Sequence, residues 1–182
     1  VYASTIYVYS SKGGFYRCSK QAAENYIEEF NKKFKINYTI LRYGSLYGPG
    51  ASPNNGLSKI ILNSIKRKKI IYEGGPNTIR EYIHVNDAAK SSVEILNRKF
   101  KNKIVLIKGK KEIKIVNLLL VLKKILQIKS KLFFLNRTQM GHYDKKPKEV
   151  KKVKTIEHYT KMPQNFEDSL HEIINIIKKK KY

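Results

Sequence analysis

The sequence holds a single cysteine, Cys18, so a disulfide framework is excluded and a reducing cytoplasm is the expected compartment. It has no apolar run long enough to cross a bilayer. The best candidate, residues 113–128, is interrupted by Asn117, Lys123 and Lys124. Val1 to Tyr9 shows neither a basic leader nor a small-residue cleavage site, so no secretory signal is read there. A Gly-rich phosphate loop is also missing. A dinucleotide site needs a first strand, a glycine turn and a helix N-terminus for the pyrophosphate, and none precedes the opening strand. The expectation is a chain that starts mid-domain.

Acidic residues are scarce as well: 14 against 38 lysines and arginines, for a formal net charge of +24. Such an excess admits a nucleic-acid or anionic-membrane partner. Two features argue against one. Only six of the basic residues are arginine, the side chain that phosphate and base recognition favours. The lysines are also spread over nearly every segment, and Lys178 to Lys181 suit a solvated helix end. A generic lysine-rich surface is the expected reading, with neither nucleic acid nor membrane as partner.

What is present supports a folded α/β chain. At 182 residues, 41% of them hydrophobic, one sizeable core is attainable. Val1 to Tyr9, rich in β-branched and aromatic residues, reads as a buried strand, and Gly13-Gly14 as a turn. Ala23, Tyr26, Ile27, Phe30 and Phe34 recur at helical spacing, predicting an amphipathic helix from Tyr16 to Phe34. Further strands are expected at Tyr38 to Tyr43, Ile70 to Tyr72, Arg80 to Val85, Ile104 to Ile107 and Leu132 to Leu135. Helices are expected after Asn55-Gly56, from a cap at Asn86 or Asp87 through Leu96, over Val116 to Leu126, and from Phe166 to Ile177. Gly141 to Pro163 reads as loop. Alternating strands and helices imply a mostly parallel sheet.

Tyr16 and Lys20, four positions apart at a helix start, fall on one face one turn apart. A phenol is a poor base at neutral pH, and a cation held nearby favours its phenolate. The pair can therefore serve as general acid and base toward a sugar hydroxyl. Around it stand Ser4-Thr5 with Val8-Tyr9, then Leu41 to Gly50 (LRYGSLYGPG), then Arg80 to Ala89 (REYIHVNDAA). In that order these segments resemble the extended short-chain dehydrogenase/reductase family, the NAD-dependent epimerase/dehydratases of nucleotide sugars. The resemblance covers Val1 to Ile107 well and the remainder faintly.

The resemblance implies a partial Rossmann-type, doubly wound parallel sheet with a small C-terminal substrate-binding α/β subdomain. Residues 1–50 would be the C-terminal part of the catalytic domain. Residues 51–182 would be a mixed substrate-binding region whose elements near 79–107 return to the sheet. It also implies roles. Tyr16 matches the proton acceptor and donor. Lys20 matches the lysine that tunes it and holds the nicotinamide ribose. Thr5 matches the hydroxyl that bonds the reacting oxygen. Ser4, Thr5, Tyr16, Lys20, Tyr43 and Gly44 would meet the cofactor, NAD with NADP also open, while Ser45 and Arg80 would meet the substrate. A nucleotide-sugar substrate and a homodimer follow from the same resemblance. His84 is expected to be packed and structural, Asp87 a helix cap, and Cys18 a small packed residue.

Several positions depart from the family pattern: Ser45 for Asn, Glu81 for Asp, Ser169 for Gly, and a short interval between Thr5 and Tyr16. The family's dehydratases carry an Asp-Glu pair directly after the catalytic hydroxyl residue, because elimination needs a further acid and base. Ile6 and Tyr7 stand there instead, which favours 4-epimerisation or keto-sugar reduction. Two other readings stay open: a truncated, inactive fragment, and a lysine-rich polyanion-binding protein on the same scaffold.

Overall fold

The computed structural model describes residues 1–135 and 155–179. Its central element is a four-stranded, fully parallel sheet in the order β1 (Tyr2–Thr5), β2 (Thr39–Tyr43), β7 (Lys103–Ile107) and β10 (Thr155–His158). The inner strands are buried along almost their whole length, as in a sheet covered on both faces. Thr5 pairs with Tyr43 and Tyr43 with Ile107, so the C-terminal ends of three strands finish level. Open α/β sheets bind ligands at that edge.

β10 corrects one expectation. The stretch from Gly141 to Pro163, read as loop, contributes Thr155 to His158 to the sheet. Residues 136–154 of that stretch lie outside the described residues. The segment is polar and short, but β7 offers a full row of backbone partners, and Ile156 packs against the cluster beneath it. Neighbouring strands, which local periodicity does not register, turn it into a strand.

α1 (Gly14–Phe34) corrects another. The helix is present, but its apolar stripe is not its buried face. Tyr26, Phe30 and Phe34 are exposed, and the one fully buried residue is Glu24. Cys18, expected to be packed, is exposed on the same helix. α1 covers the edge strand β1, and what it presents there is a carboxylate with an ionic partner.

The chain leaves the main sheet after Tyr43. β3 (Ser45–Tyr47) runs parallel to β6 (Tyr82–His84), β4 (Ile71–Glu73) parallel to β9 (Phe133–Leu135), and β5 (Ile79–Arg80) antiparallel to β8 (Ile113–Lys114). The single strand expected over Arg80 to Val85 is thus broken at Glu81, with its two pieces in different sheets. α2 (Gly56–Arg67) opens on Asn55, whose Oδ1 accepts from the N–H groups of Leu57 and Ser58, satisfying two orphan donors of the first turn.

α3 (Val85–Glu94) begins one residue after β6 ends, so its cap is neither Asn86 nor Asp87. His84 fills that role, its Nδ1 accepting from Asn86 N–H at 3.2 Å. Asp87 sits inside the first turn, and its Oδ2 accepts from Gln164 N–H at 2.9 Å. α4 (Ile115–Ile125) and α5 (Phe166–Lys179) pack through Leu118, Leu119, Leu122, Leu170, Ile173 and Ile174 into one apolar cluster with α2 and β4. Each such side chain contributes about 1.5–3 kcal/mol on burial. Among the described residues no helix is long and apolar enough to cross a membrane.

Candidate active site

Thr5 closes β1 and stands beside Tyr43 at the end of β2. A 3-10 turn over Ile6–Tyr9 follows at once, its first N–H groups bending back so that Tyr7 N–H donates to Thr5 Oγ1 at 3.3 Å. The turn carries the Tyr7 ring edge-on to Tyr16, with centroids 6.5 Å apart. Tyr16 is in the first turn of α1 and remains 53% exposed, so its phenol is open to an incoming molecule. Lys20, one turn further, donates from Nζ to Ala3 O at 2.9 Å and lies 5.9 Å from the centre of the Tyr16 ring. Its ammonium is therefore tethered to β1 beside the phenol.

Behind these groups lies a charged network that residue spacing did not disclose. Arg42 of β2 makes a two-pronged contact with Glu24, Nε donating to Oε1 at 3.0 Å and Nη2 to Oε2 at 2.5 Å. Ser4 Oγ donates to the same carboxylate, and Arg42 Nη1 donates to the Tyr9 hydroxyl, which lies 2.6 Å from Thr155 Oγ1 of β10. Burial pulls the guanidinium's pKa down, but hydrogen bonding and charge from Glu24 outweigh it and the net shift is upward. Ser4 is thus seated on an ion pair that links α1 and β2 across the end of β1. One signal in the sequence pointed to Glu24: it follows Lys20 by four residues and so shares its helix face.

Tyr43, Gly44 and Ser45 form the crossing out of the sheet. The Tyr43 hydroxyl meets Ser92 Oγ of α3 at 2.6 Å. Gly44 N–H donates to Ile107 O at 2.8 Å and Ser45 N–H to Glu81 O at 3.2 Å. A Cβ at position 44 would stand 3.0 Å from Glu81 O and 3.1 Å from Lys108 Cβ, so a side chain there would need its neighbours to give way by a few tenths of an ångström. Arg80 is buried on β5, next in sequence to Glu81, and its Nη1 donates to Ile79 O at 3.0 Å. Ser4, Thr5, Tyr43 and Gly44 therefore gather at one sheet edge with Tyr16 and Lys20 above β1. Arg80 belongs to the neighbouring strands.

His84 is buried, as expected of a structural histidine. Burial lowers its imidazole pKa, the charges of Asp87 and Glu172 push it back up, and Lys90 adds to the fall. With Nδ1 engaged as the cap of α3, it is not a base within this site. Among the described residues no cluster of His, Cys, Asp or Glu could hold a metal ion.

A parallel sheet with these groups on its C-terminal edge defines a Rossmann-like α/β protein. Residues 6–107, more than half of the chain, match the NAD dependent epimerase/dehydratase family, and the chain belongs to it. It is 34% identical over 111 residues to a putative UDP-glucose 4-epimerase of Methanocaldococcus jannaschii, covering 59% of this chain and 36% of that protein. Against a dTDP-D-glucose 4,6-dehydratase of Dictyostelium discoideum it is 32% identical over 84 residues, covering 46% of this chain and 19% of that one. In fold it is similar to UDP-glucuronic acid 4-epimerase of Bacillus cereus in complex with NAD. That likeness has a TM-score of 0.77 at 23% identity, over 99% of this chain and 61% of the other. The chain thus spans about a third or less of these two curated relatives and about three fifths of that structure.

Proposed function

We propose that this chain carries the proton-transfer half of an NAD-dependent enzyme that modifies a nucleotide-activated sugar, most simply by 4-epimerisation or keto-sugar reduction. The observation that supports the reading is that Tyr16 and the tethered Lys20 lie on the helix beside β1, whose last residue, Thr5, stands at the C-terminal edge of the parallel sheet. Bound NAD supplies hydride exchange with the sugar carbon. Residues 4, 5, 16, 20, 43 and 44 fit its nicotinamide end, since an exposed phenol and a fixed ammonium stand beside the strand ends. No G-x-G-x-x-G occurs in the 182 residues to hold its pyrophosphate.

The Tyr16 phenolate takes the proton from the sugar hydroxyl and returns it when the carbonyl is reduced. Lys20, held at Ala3 O, keeps a positive charge beside that phenolate throughout. Thr5 Oγ, already oriented by Tyr7 N–H, bonds the reacting oxygen. Ser45 lies along the sugar, and Arg80 offers a guanidinium to the diphosphate, for which its fork geometry is suited. Ile6 and Tyr7 stand in place of the acid pair, so no carboxyl group follows Thr5 to serve elimination. On this reading residues 1–50 serve catalysis, residues 51–182 hold substrate with 79–107 returning to the sheet, and the protein works in the cytoplasm. A homodimer would cover the exposed aromatic residues of α1.

The test is turnover of UDP-glucose and UDP-glucuronic acid with NAD, by the chain alone and joined to the pyrophosphate-binding half of a relative. Tyr16→Phe should abolish turnover in whichever form is active while NAD affinity, read by calorimetry, stays within about twofold. Retained turnover in the variant removes Tyr16 from the mechanism.

A further inference from the structure

The proposed chemistry leaves one buried pair of charges unused, and it lies where the chain crosses out of the main sheet. Lys108, directly after β7, places Nζ 2.8 Å from Glu81 Oε1, and both side chains are almost fully buried, at 5% and 6% exposure. The same Nζ lies 3.0 Å from Glu157 Oε1 of β10, a half-exposed carboxylate. One ammonium therefore joins the end of β7, the neighbouring strand of the sheet, and the link between β5 and β6.

The backbone around this pair is tightly packed. Glu81 O accepts from Ser45 N–H, and Ile107 O accepts from Gly44 N–H, so the residues flanking the two charges are those that fix the crossing. A Cβ on Gly109 would come within 2.0 Å of Tyr82 O, which shows how closely the chain after Lys108 approaches β6. An apolar pair would fill the space without fixing a direction, whereas an ammonium between two carboxylates has a preferred register.

We propose that Lys108 is a positioning residue. Its ion pair with Glu81 locks the Tyr43–Ser45 crossing against the strand that carries Arg80. It thereby sets the separation between the Tyr16, Lys20 and Thr5 group and the Arg80 guanidinium. That separation selects how far a sugar carbon can lie from its diphosphate. The functional meaning rests on the reading of these groups as one site, but the geometric claim does not.

The experiment is a distance measurement on the 182-residue chain without ligand. One spin label goes on the native Cys18 of α1, the other on Lys69→Cys, an exposed position after α2. The parent chain should give one narrow distance distribution. Lys108→Met, which keeps volume and removes charge, should broaden or shift it, and Glu81→Gln should do the same, in samples whose circular dichroism and melting show a folded chain. A role in stability alone would lower the melting point and leave the folded-state distance unchanged. Lys108→Arg should restore the narrow distribution.

In a form that turns over sugar nucleotide, Lys108→Met should also lower kcat/KM by roughly 100-fold, as expected of a small misplacement of bound substrate. Its NAD affinity should be unaltered. Narrow, unshifted distributions in both Lys108→Met and Glu81→Gln overturn the proposal. If Tyr16→Phe keeps turnover while the distances move as stated, the site assignment fails and the positioning claim stands.

Discussion

The two interiors of this molecule are held together by different physics. Under α4 and α5, the buried side chains of the main cluster are hydrocarbon and tyrosine, and contact between them is non-directional. At the end of the main sheet, Ser4, Glu24, Arg42, Glu81 and Lys108 are buried as well, beside a second apolar cluster that includes Leu41, Ile83, Val105 and Ile107. A hydrocarbon core tolerates small shifts because any close packing of similar volume is nearly as good. Paired charges do not, since each holds its partner to a distance and an angle. The directional interior lies under the residues proposed for chemistry, and the non-directional one lies where substrate-side strands need only a support.

Four substitutions can break or sharpen that contrast. The largest effect should come from Glu24→Leu. It leaves the Arg42 guanidinium buried without its carboxylate, and loss of one partner of a buried pair costs about 3–5 kcal/mol. Leu122→Ala in the apolar core should cost about 2–5 kcal/mol through its cavity. Urea unfolding of both compares the two interiors directly. A change below about 1 kcal/mol for Glu24→Leu would mean that the charged network does not hold the sheet edge.

The next effect is on pH dependence, at the seam where the His84 ring meets Tyr47 of the apolar cluster, centroids 5.2 Å apart. Burial keeps the His84 pKa below its ordinary 6.5, so the unfolded chain binds the proton first as pH falls. Stability from this group is therefore intact above about pH 6.5 and declines below it. Protonation would also put a hydrogen on Nδ1, the atom that accepts from Asn86 N–H. His84→Asn keeps a cap acceptor and removes the titration, so its urea midpoint should change less between about pH 7.5 and about pH 5 than the parent's. The smallest effect belongs to Phe30→Gln on the outer face of α1, expected within about 0.5 kcal/mol because that ring is already exposed.

Much of this architecture could be read from the sequence. The parallel sheet, the helix after Asn55-Gly56, α4 and α5 follow from β-branched runs and the spacing of apolar residues. Tyr16, Lys20, Thr5 and Tyr43 stand out because their motifs keep a fixed order, and their role in chemistry is the proposal made above. The readings that failed share a cause. Periodicity in α1 marks Tyr26, Phe30 and Phe34 as one face but does not say what lies opposite, and β1 with Arg42 made Glu24 the inward residue. Thr155 to His158 has no strand signature of its own and takes its conformation from β7. Asp87 has the chemistry of a cap, yet α3 already starts at Val85, where the strand was expected to end, and the cap position falls to His84. Each error concerns a partner distant in sequence, which a local pattern does not contain.

The outer face of α1 has a consequence that depends on ionic strength rather than shape. Phe15, Tyr26, Phe30 and Phe34 stand in water on a chain whose formal charge is +24. In dilute salt the lysines hold two such faces apart, because repulsion between like charges extends about 30 Å at 0.01 M. Near 0.15 M it reaches only about 8 Å, less than the ~10 Å width of a helix with its side chains. Salt, by shortening that range, decides whether these rings remain solvated or find another surface.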